Sequence, residues 1–326
     1  MDALTALGVP VAAMLTAVLV ALAVDHWLGE PAGALHPVVW MGGYLNAVGE
    51  MFAPAHDTGG RDNAAFWQGT LAWCAGAMLF TAVAWLLQSL ILPLGSFVAA
   101  LLLGLLLKPM LAWRMLRHEV AAVEAALAVS LDAGRTQLAR LVSRDVSQLS
   151  AQEVRESAIE SLAENLNDSV VAPVFWFVVA GLPGAVLYRF ANTADAMWGY
   201  RGMRSGRYWE WAGKWAARAD DVLSWVPARI TALGLRLAAP EADYAGLRAQ
   251  AALTPSPNGG WPMAAMALAL GVQLRKPGVY LLNARGRAVE ATDTPRAIAL
   301  AWRALGIAGL LCVAALLARE SVRSFA

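Results

Sequence analysis

Two long apolar runs, Leu71 to Leu92 and Ile298 to Leu317, limit this chain more than any other feature. A helix crossing the hydrocarbon core of a bilayer needs about 20 apolar residues, and each run is long enough. Gly8 to Val24 is a third candidate span, at the short end of that range. Composition agrees: 59% of the 326 residues are hydrophobic and only 15% are charged, with mean hydropathy +0.52. Soluble domains are nearer half apolar and a quarter charged. The class expected is an all-α integral membrane protein.

The remaining spans follow from punctuation. After Leu92, "PLG" (Pro93 to Gly95) is a tight turn, and Ser96 to Leu107 starts back across the membrane. That helix is expected to continue through Lys108 and Pro109 to about Asp132. Val170 to Phe190 is long enough to cross, but "GLPG" (Gly181 to Gly184) breaks its middle. Trp261 to Leu274 is too short to cross unaided. The expected architecture is about four transmembrane helices, plus broken or re-entrant helices and cytoplasmic helical connections, with no run of strands. All 326 residues form one polytopic unit, and its polar motifs lie in connections 25–68, 108–169 and 191–260. Arginines crowd Lys108 to Arg155 and Arg201 to Arg248, so the positive-inside rule places both stretches in the cytoplasm. Both termini are then outside, although Arg319 and Arg323 pull the other way.

Other classes are excluded or weak. A net charge of +1 offers no footprint for nucleic acid. Cys74 and Cys312 lie in apolar runs and read as small buried hydrophobes. "GRYWEWAGK" (Gly206 to Lys214) has a phosphate-loop look, but its glycines are badly spaced and Trp215 stands where Ser or Thr belongs.

Five polar stretches remain. In "AIESLAENLNDSVVAP", Glu160, Glu164 and Asp168 recur every four residues and form one helical stripe, while Ile159, Leu162 and Leu166 pack elsewhere. Stacked carboxylates suit a wet surface, or else a Mg²⁺ site or polar pocket, to which Asn165 could add an amide. "FANTADAMWGYR" presents Asn192 and Asp195 on one face, with Tyr200 and Arg201 beyond Gly199. "ARADDVLSWVPARI" carries Arg218, Asp220, Asp221 and Arg229; its adjacent aspartates diverge by about 100° on a helix. "DHWLGEPAGALHPV" gathers Asp25, His26, Glu30 and His36 at the end of a membrane helix, with spacing that matches no standard zinc site. "TPSPNGGWP" is a turn through Asn258 with exposed amides, able to bind phosphate or simply to connect.

The order and number of these motifs resemble the membrane-bound adenosylcobinamide-phosphate synthases of cobalamin biosynthesis, the CobD/CbiB family. The resemblance runs from about Asp25 to about Tyr280 and includes "SRDVSQL" and "PNGGWPMAAMALALG". It implies an ATP-dependent amide ligase at the bacterial inner membrane, its active site facing the cytoplasm. Such an enzyme joins (R)-1-amino-2-propanol or its O-phosphate to a propionate carboxylate of adenosylcobyric acid, with ATP and Mg²⁺ and an acyl phosphate as the expected route. Partners implied are these substrates, the lipid bilayer and other late enzymes of the pathway, with no nucleic acid. In that frame Glu164, Asp168 and Asp195 are the Mg²⁺ candidates, and Arg201, Arg218, Arg229 and Arg144 the phosphate candidates. Glu30, His36 and Glu160 are candidate bases, with Asn165 beside them. Asp25, Asn192, Tyr200, Asp221 and Asn258 complete the substrate-binding set. Two alternatives stay open: a membrane sensor of the related β-lactamase-regulation type, without catalysis, and a small-molecule transporter.

Overall fold

The computed structural model describes residues 11–57 and 59–324, with the backbone alone for 315–324. Gly8 to Pro10 of the first expected span, and the side chains of Arg319 and Arg323, lie outside the described residues. Twelve α-helices are described: α1 Val11–Leu28, α2 Pro37–Phe52, α3 Asn63–Ile91, α4 Ser96–Leu107, α5 Trp113–Val129, α6 Leu131–Leu138, α7 Ala151–Leu166, α8 Ala172–Trp198, α9 Lys214–Ala238, α10 Leu247–Ala251, α11 Gly260–Leu270 and α12 Asp293–Ser324. Strands amount to two short antiparallel hairpins, β1 Met203–Arg204 with β2 Arg207–Tyr208, and β3 Leu274–Lys276 with β4 Tyr280–Leu282.

Five segments are long and apolar enough to cross a membrane: Val11–Leu28, Asn63–Leu94, Ser96–Val129, Ala151–Trp198 and Asp293–Ala314. The protein is an all-α multi-pass membrane protein with one candidate span more than the four expected. The fifth is the segment that the glycine-proline break makes ambiguous in the sequence. Only 17% of the most apolar window of Asn63–Leu94 is buried within the protein. Its Trp67, Leu71, Met78, Trp85 and Leu90 stand outward as an apolar surface of the kind that faces lipid in a membrane span.

The chain folds as two compact units. One takes in the described part of Met1–Leu111 together with Ala172–Leu223; the other takes in Ala112–Val171 and Ser224–Ala326. In the first, α1 packs on α4 and α3 on α8. Gly104 permits the α1–α4 approach, because a Cβ there would stand 2.7 Å from the Ala17 carbonyl oxygen. The break in α8 falls at Ala180 and at Gly181, where φ is +66°, and Pro183 is tolerated in the helix that resumes. The buried Gln88 of α3 accepts the Leu182 N–H through Oε1 at 2.8 Å, so the break leaves no bare amide there.

Ser96 to Asp132 is not one helix. Lys108–Met110 tightens to a 3-10 turn, and Leu111 is extended with φ −108° and ψ 147°. Pro109 cannot donate an N–H to the α-ladder, and its ring crowds the preceding turn. Helix α5 restarts at Trp113 and ends at Val129, and Ser130 caps α6 by accepting the Ala133 N–H at 3.1 Å.

In the second unit α7 is the central helix. It opens with a capping box: Ser150 Oγ accepts the Glu153 N–H at 3.3 Å, and Glu153 Oε2 accepts the Ser150 N–H at 2.8 Å. Ile159, Leu162 and Leu166 are fully buried, as their spacing implies. Helix α11 spans 11 residues and is almost wholly buried in this unit, which agrees with a segment too short to cross. Cys74 and Cys312 are free thiols; Cys312 is buried as expected, whereas Cys74 is only half-buried.

Candidate active site

In the second unit the polar face of α7 meets Met263 of α11 and two other pieces of chain around a cavity of about 180 Å³. Helix α7 contributes Ser157, Glu160, Ser161, Glu164 and Asn165; the segment before it contributes Arg144; Lys276 and Tyr280 come from the β3–β4 hairpin. Arg144 Nη2 donates to Ser157 Oγ at 2.5 Å and stands 3.4 Å from Glu160 Oε2. Glu160 is nearly buried, and its Oε1 makes no well-formed hydrogen bond. The same is true of Arg144 Nε. Asn165 Nδ2 donates to the Ser161 carbonyl at 3.0 Å, which fixes its amide at the wall. Burial, then the neighbouring Glu160 and Glu164 carboxylates, push the Tyr280 hydroxyl above its ordinary pKa, so it remains a neutral donor.

The cavity splits the expected carboxylate stripe. Glu160 and Glu164 face it together, but Asp168 is not among its lining residues. The reason is a π-turn over Asn167–Val171, which breaks the 3.6-residue register after Leu166. Asp168 instead accepts a hydrogen bond from Asn167 Nδ2 at 2.7 Å. Among the described residues no three His, Cys, Asp or Glu side chains group closely enough for a metal cage.

The turn before α11 supports this wall. Its amides are not exposed, contrary to expectation: Ser256 Oγ accepts the N–H groups of Asn258 and Gly259 at 3.2 and 3.0 Å. Arg229 donates to Asn258 Oδ1 at 2.6 Å and to the Trp225 and Pro257 carbonyls at 2.8 and 3.2 Å. Its guanidinium also lies over the rings of Trp225 and Trp261, at 4.5 and 4.8 Å. Burial lowers its pKa. These partners make Arg229 a clamp on the turn rather than a ready phosphate ligand. The clamped Gly259 backs directly onto Glu164, since a Cβ there would stand 2.9 Å from Glu164 Oε1. Gly259→Ala is therefore expected to displace that carboxylate and lower turnover by up to roughly a hundredfold with little loss of stability. Steady-state rates beside thermal unfolding check this; equal rates for variant and parent would contradict it.

The first unit holds the other candidates. Lys108, 3% exposed, stands 3.3 Å from Asp25 Oδ1 and 2.9 Å from Glu30 Oε2, and His36 Nε2 lies 3.0 Å from the same Glu30 oxygen. Asp25 does not emerge from the helix end as expected; it is fully buried. Burial alone would raise the Glu30 carboxyl, but the bonds from His36 and Lys108 outweigh it and hold the group below its usual range. A carboxylate so held is a weak base, and His36 also accepts the Val38 N–H at 3.2 Å as the cap of α2. Both candidate bases are thus committed to an ion cluster. On α8, Asn192 donates to Asp220 at 3.4 Å, and Asp195 lies against Gly199. Asp221 diverges from Asp220; burial lifts its pKa against the opposing pull of Arg201. Tyr200 lies beneath the Arg204 guanidinium at 4.5 Å, and Arg218 is exposed.

Sequence reasoning missed Lys108, Lys276, Tyr280 and Ser157. Lys108 ends an apolar run and reads as a residue inside a helix. "RKPGVY" carries a usable signal, a cation and an aromatic flanking a Pro-Gly turn.

This combination defines a class: a helical multi-pass membrane protein with a polar cavity that carries charges of both signs. The chain belongs to the CobD/CbiB family, whose model, described as CobD/Cbib protein, matches residues 18–305. It is 40% identical over 296 residues to "Cobalamin biosynthesis protein CobD" of Stutzerimonas stutzeri, covering 88% of this chain and 93% of that one. It is 38% identical to "Probable cobalamin biosynthesis protein CobD" of Thermococcus kodakarensis, over 93% of this chain and 96% of that one. The protein of that name from Methanothermobacter thermautotrophicus is 38% identical, over 81% and 85%. No solved structure matches the chain.

Proposed function

We propose that this protein acts in cobalamin biosynthesis as an ATP-dependent amide ligase, joining (R)-1-amino-2-propanol O-phosphate to a propionate carboxylate of adenosylcobyric acid. One observation carries the reading beyond the names of the relatives. Arg144 and Lys276 face the same cavity of about 180 Å³ as Glu160 and Glu164. A small zwitterion, with a phosphate at one end and an ammonium at the other, matches a cavity lined by two cations and two carboxylates, of which Arg144 and Glu160 are paired at 3.4 Å and would each turn to one end of the ligand. A sensor or a transporter has less need of a buried carboxylate held between Arg144 and Tyr280 at a substrate-sized space.

In this reading Arg144 and Lys276 hold the amine's phosphate, Arg144 in the fork geometry that suits it. Glu160 draws the ammonium in and takes its proton, so the nitrogen lone pair is free to attack. The acid's carboxylate is first converted to an acyl phosphate by ATP. Attack by the amine forms the C–N bond, and phosphate leaves with the carboxylate oxygen. Tyr280 donates to a charged oxygen in the cavity. Glu164 beside Asn165 offers the hard oxygens that suit Mg²⁺, which takes one or two carboxylates plus substrate phosphates and needs no protein cage. When bound, the ion neutralises phosphate charge. The active site faces the cytoplasm of a bacterial inner membrane, where the arginine-rich connections belong.

The test uses purified protein in detergent with adenosylcobyric acid, the amine phosphate and Mg·ATP, and follows the corrinoid by mass. A gain equal to the amine minus water, with ADP formed in step, is expected. Absence of that product with both the free and the phosphorylated amine would overturn the ligase. Product from the free amine alone would overturn the phosphate role of Arg144 and Lys276.

A further inference from the structure

A second cavity, of about 280 Å³, lies in the same unit and shares two lining residues with the first, Leu141 and Asn165. Its other walls are Ala112, Met115 and Leu116 from the start of α5, with Glu119, Arg140 and Ser169. The two spaces have different chemistry. The smaller faces two cations and two carboxylates. In the larger, charge is already spent: Arg140 pairs with Glu119 at 3.0 Å, and Gln137 Nε2 donates to Glu119 at 2.7 Å. Apolar side chains and two neutral polar groups, Asn165 and Ser169, make up the rest of its lining. The Ser169 hydroxyl donates to Asn165 Oδ1 at 3.5 Å, so the amide on the dividing wall is held from both sides.

We propose that these cavities are two chambers of one substrate site, and that the larger receives the aliphatic arm that ends in the reacting carboxylate. The inference rests on the ligase reading of the smaller chamber. An arm of methylenes needs apolar walls and no countercharge along its length, which Met115, Leu116 and Ala112 supply. Its carboxylate must reach the amine, and the two chambers meet at Asn165. Both N–H groups of Asn165 are held by Ser161, its carbonyl at 3.0 Å and its hydroxyl at 3.3 Å, so an acyl oxygen at the divide gains this donor by displacing the weaker bond to the hydroxyl. The bulk of a large acid stays outside, because the chamber has room for an arm alone. Asn165 and Met115 then select the acid, while Arg144 and Lys276 select the amine.

The test exploits Met115, which is about half exposed and so accepts substitution without a packing loss. Met115→Trp fills the chamber. A rise of at least tenfold in KM for adenosylcobyric acid is expected, with KM for the amine phosphate unchanged. Met115→Cys labelled with a maleimide gives a binding readout that needs no turnover, with the parent protein as control for Cys74 and Cys312. Adenosylcobyric acid is expected to slow labelling, and the amine phosphate is not. Unchanged acid KM with no protection by the acid, in protein that unfolds at the parent temperature, would overturn the second chamber. Protection by the amine phosphate instead would do the same. The ligase reading fails separately, if the parent protein forms no amide product from either amine although adenosylcobyric acid still slows the labelling.

Discussion

Replacing Glu160 by Gln is expected to reduce amide formation by roughly 10²–10⁴-fold, the usual contribution of a positioned general base. The substitution keeps shape and removes only the charge and the proton-accepting oxygen. Three features single out this residue. It is nearly buried, its Oε1 makes no well-formed hydrogen bond, and Arg144 holds its other oxygen at 3.4 Å. An ammonium entering the cavity would meet a carboxylate held by the Arg144 guanidinium and the neutral Tyr280 hydroxyl, and the proton it gives up would go to that carboxylate. KM for the amine is expected to rise as well, because the same carboxylate attracts the cation before it deprotonates it. Glu153→Gln, about two α-helical turns away at the capping box, serves as the comparison; it is expected to cost stability at the start of α7 and little rate. Equal activity in Glu160→Gln and the parent would remove Glu160 from the chemistry.

Lys108→Met is expected to be the most destabilising single change in the first unit, at about 3–5 kcal/mol, the range for leaving a buried ion pair with one partner gone. Asp25 and Glu30 both depend on this ammonium, and neither can turn to bulk water: their side chains are 1% and 22% exposed. Met keeps the length of the stem, so lost packing is not the cause. Thermal unfolding in detergent reads the effect, and adding Asp25→Asn to Lys108→Met is expected to restore part of the loss. The cluster also predicts a pH dependence. Glu30 has a folded pKa below its unfolded value of 4.5. Its contribution is therefore fully present above about pH 4.5 and lost as pH falls through the folded pKa. Glu30→Gln is expected to flatten that acid limb. A Lys108→Met protein as stable as the parent would show that the quartet contributes nothing to the fold.

How much of this was legible in the sequence depended on whether a feature was local. The apolar runs over α3 and α12 were readable because lipid demands length and composition, and both are written residue by residue. The break near Gly181 was readable because Gly and Pro act on their own backbone. The stripe of Glu160, Glu164 and Asp168 was readable as far as the helix stayed regular, and the π-turn at Asn167 ended it. Nothing in "NDSVV" announces a widened turn. Lys108 was hidden for a different reason. Its partners Asp25 and Glu30 lie some eighty residues earlier in the chain, and only the packing of α1 on α4 brings them together. Arg229 reads as a free cation because the carbonyls and indoles that occupy it belong to tertiary structure. The site's second wall, Lys276 and Tyr280, sits on a hairpin too short to show a period-two pattern.

Gln88 bears on the order in which the chain assembles. Until it meets α3, the broken middle of α8 carries a backbone N–H that its own helix does not satisfy, and in hydrocarbon such a group costs several kcal/mol. The side chain that takes this N–H lies ninety-four residues earlier. During synthesis α3 therefore leaves the ribosome well before the break does. The amide acceptor is already in the bilayer when Leu182 arrives, and the two half-helices of α8 can settle against a surface that completes them.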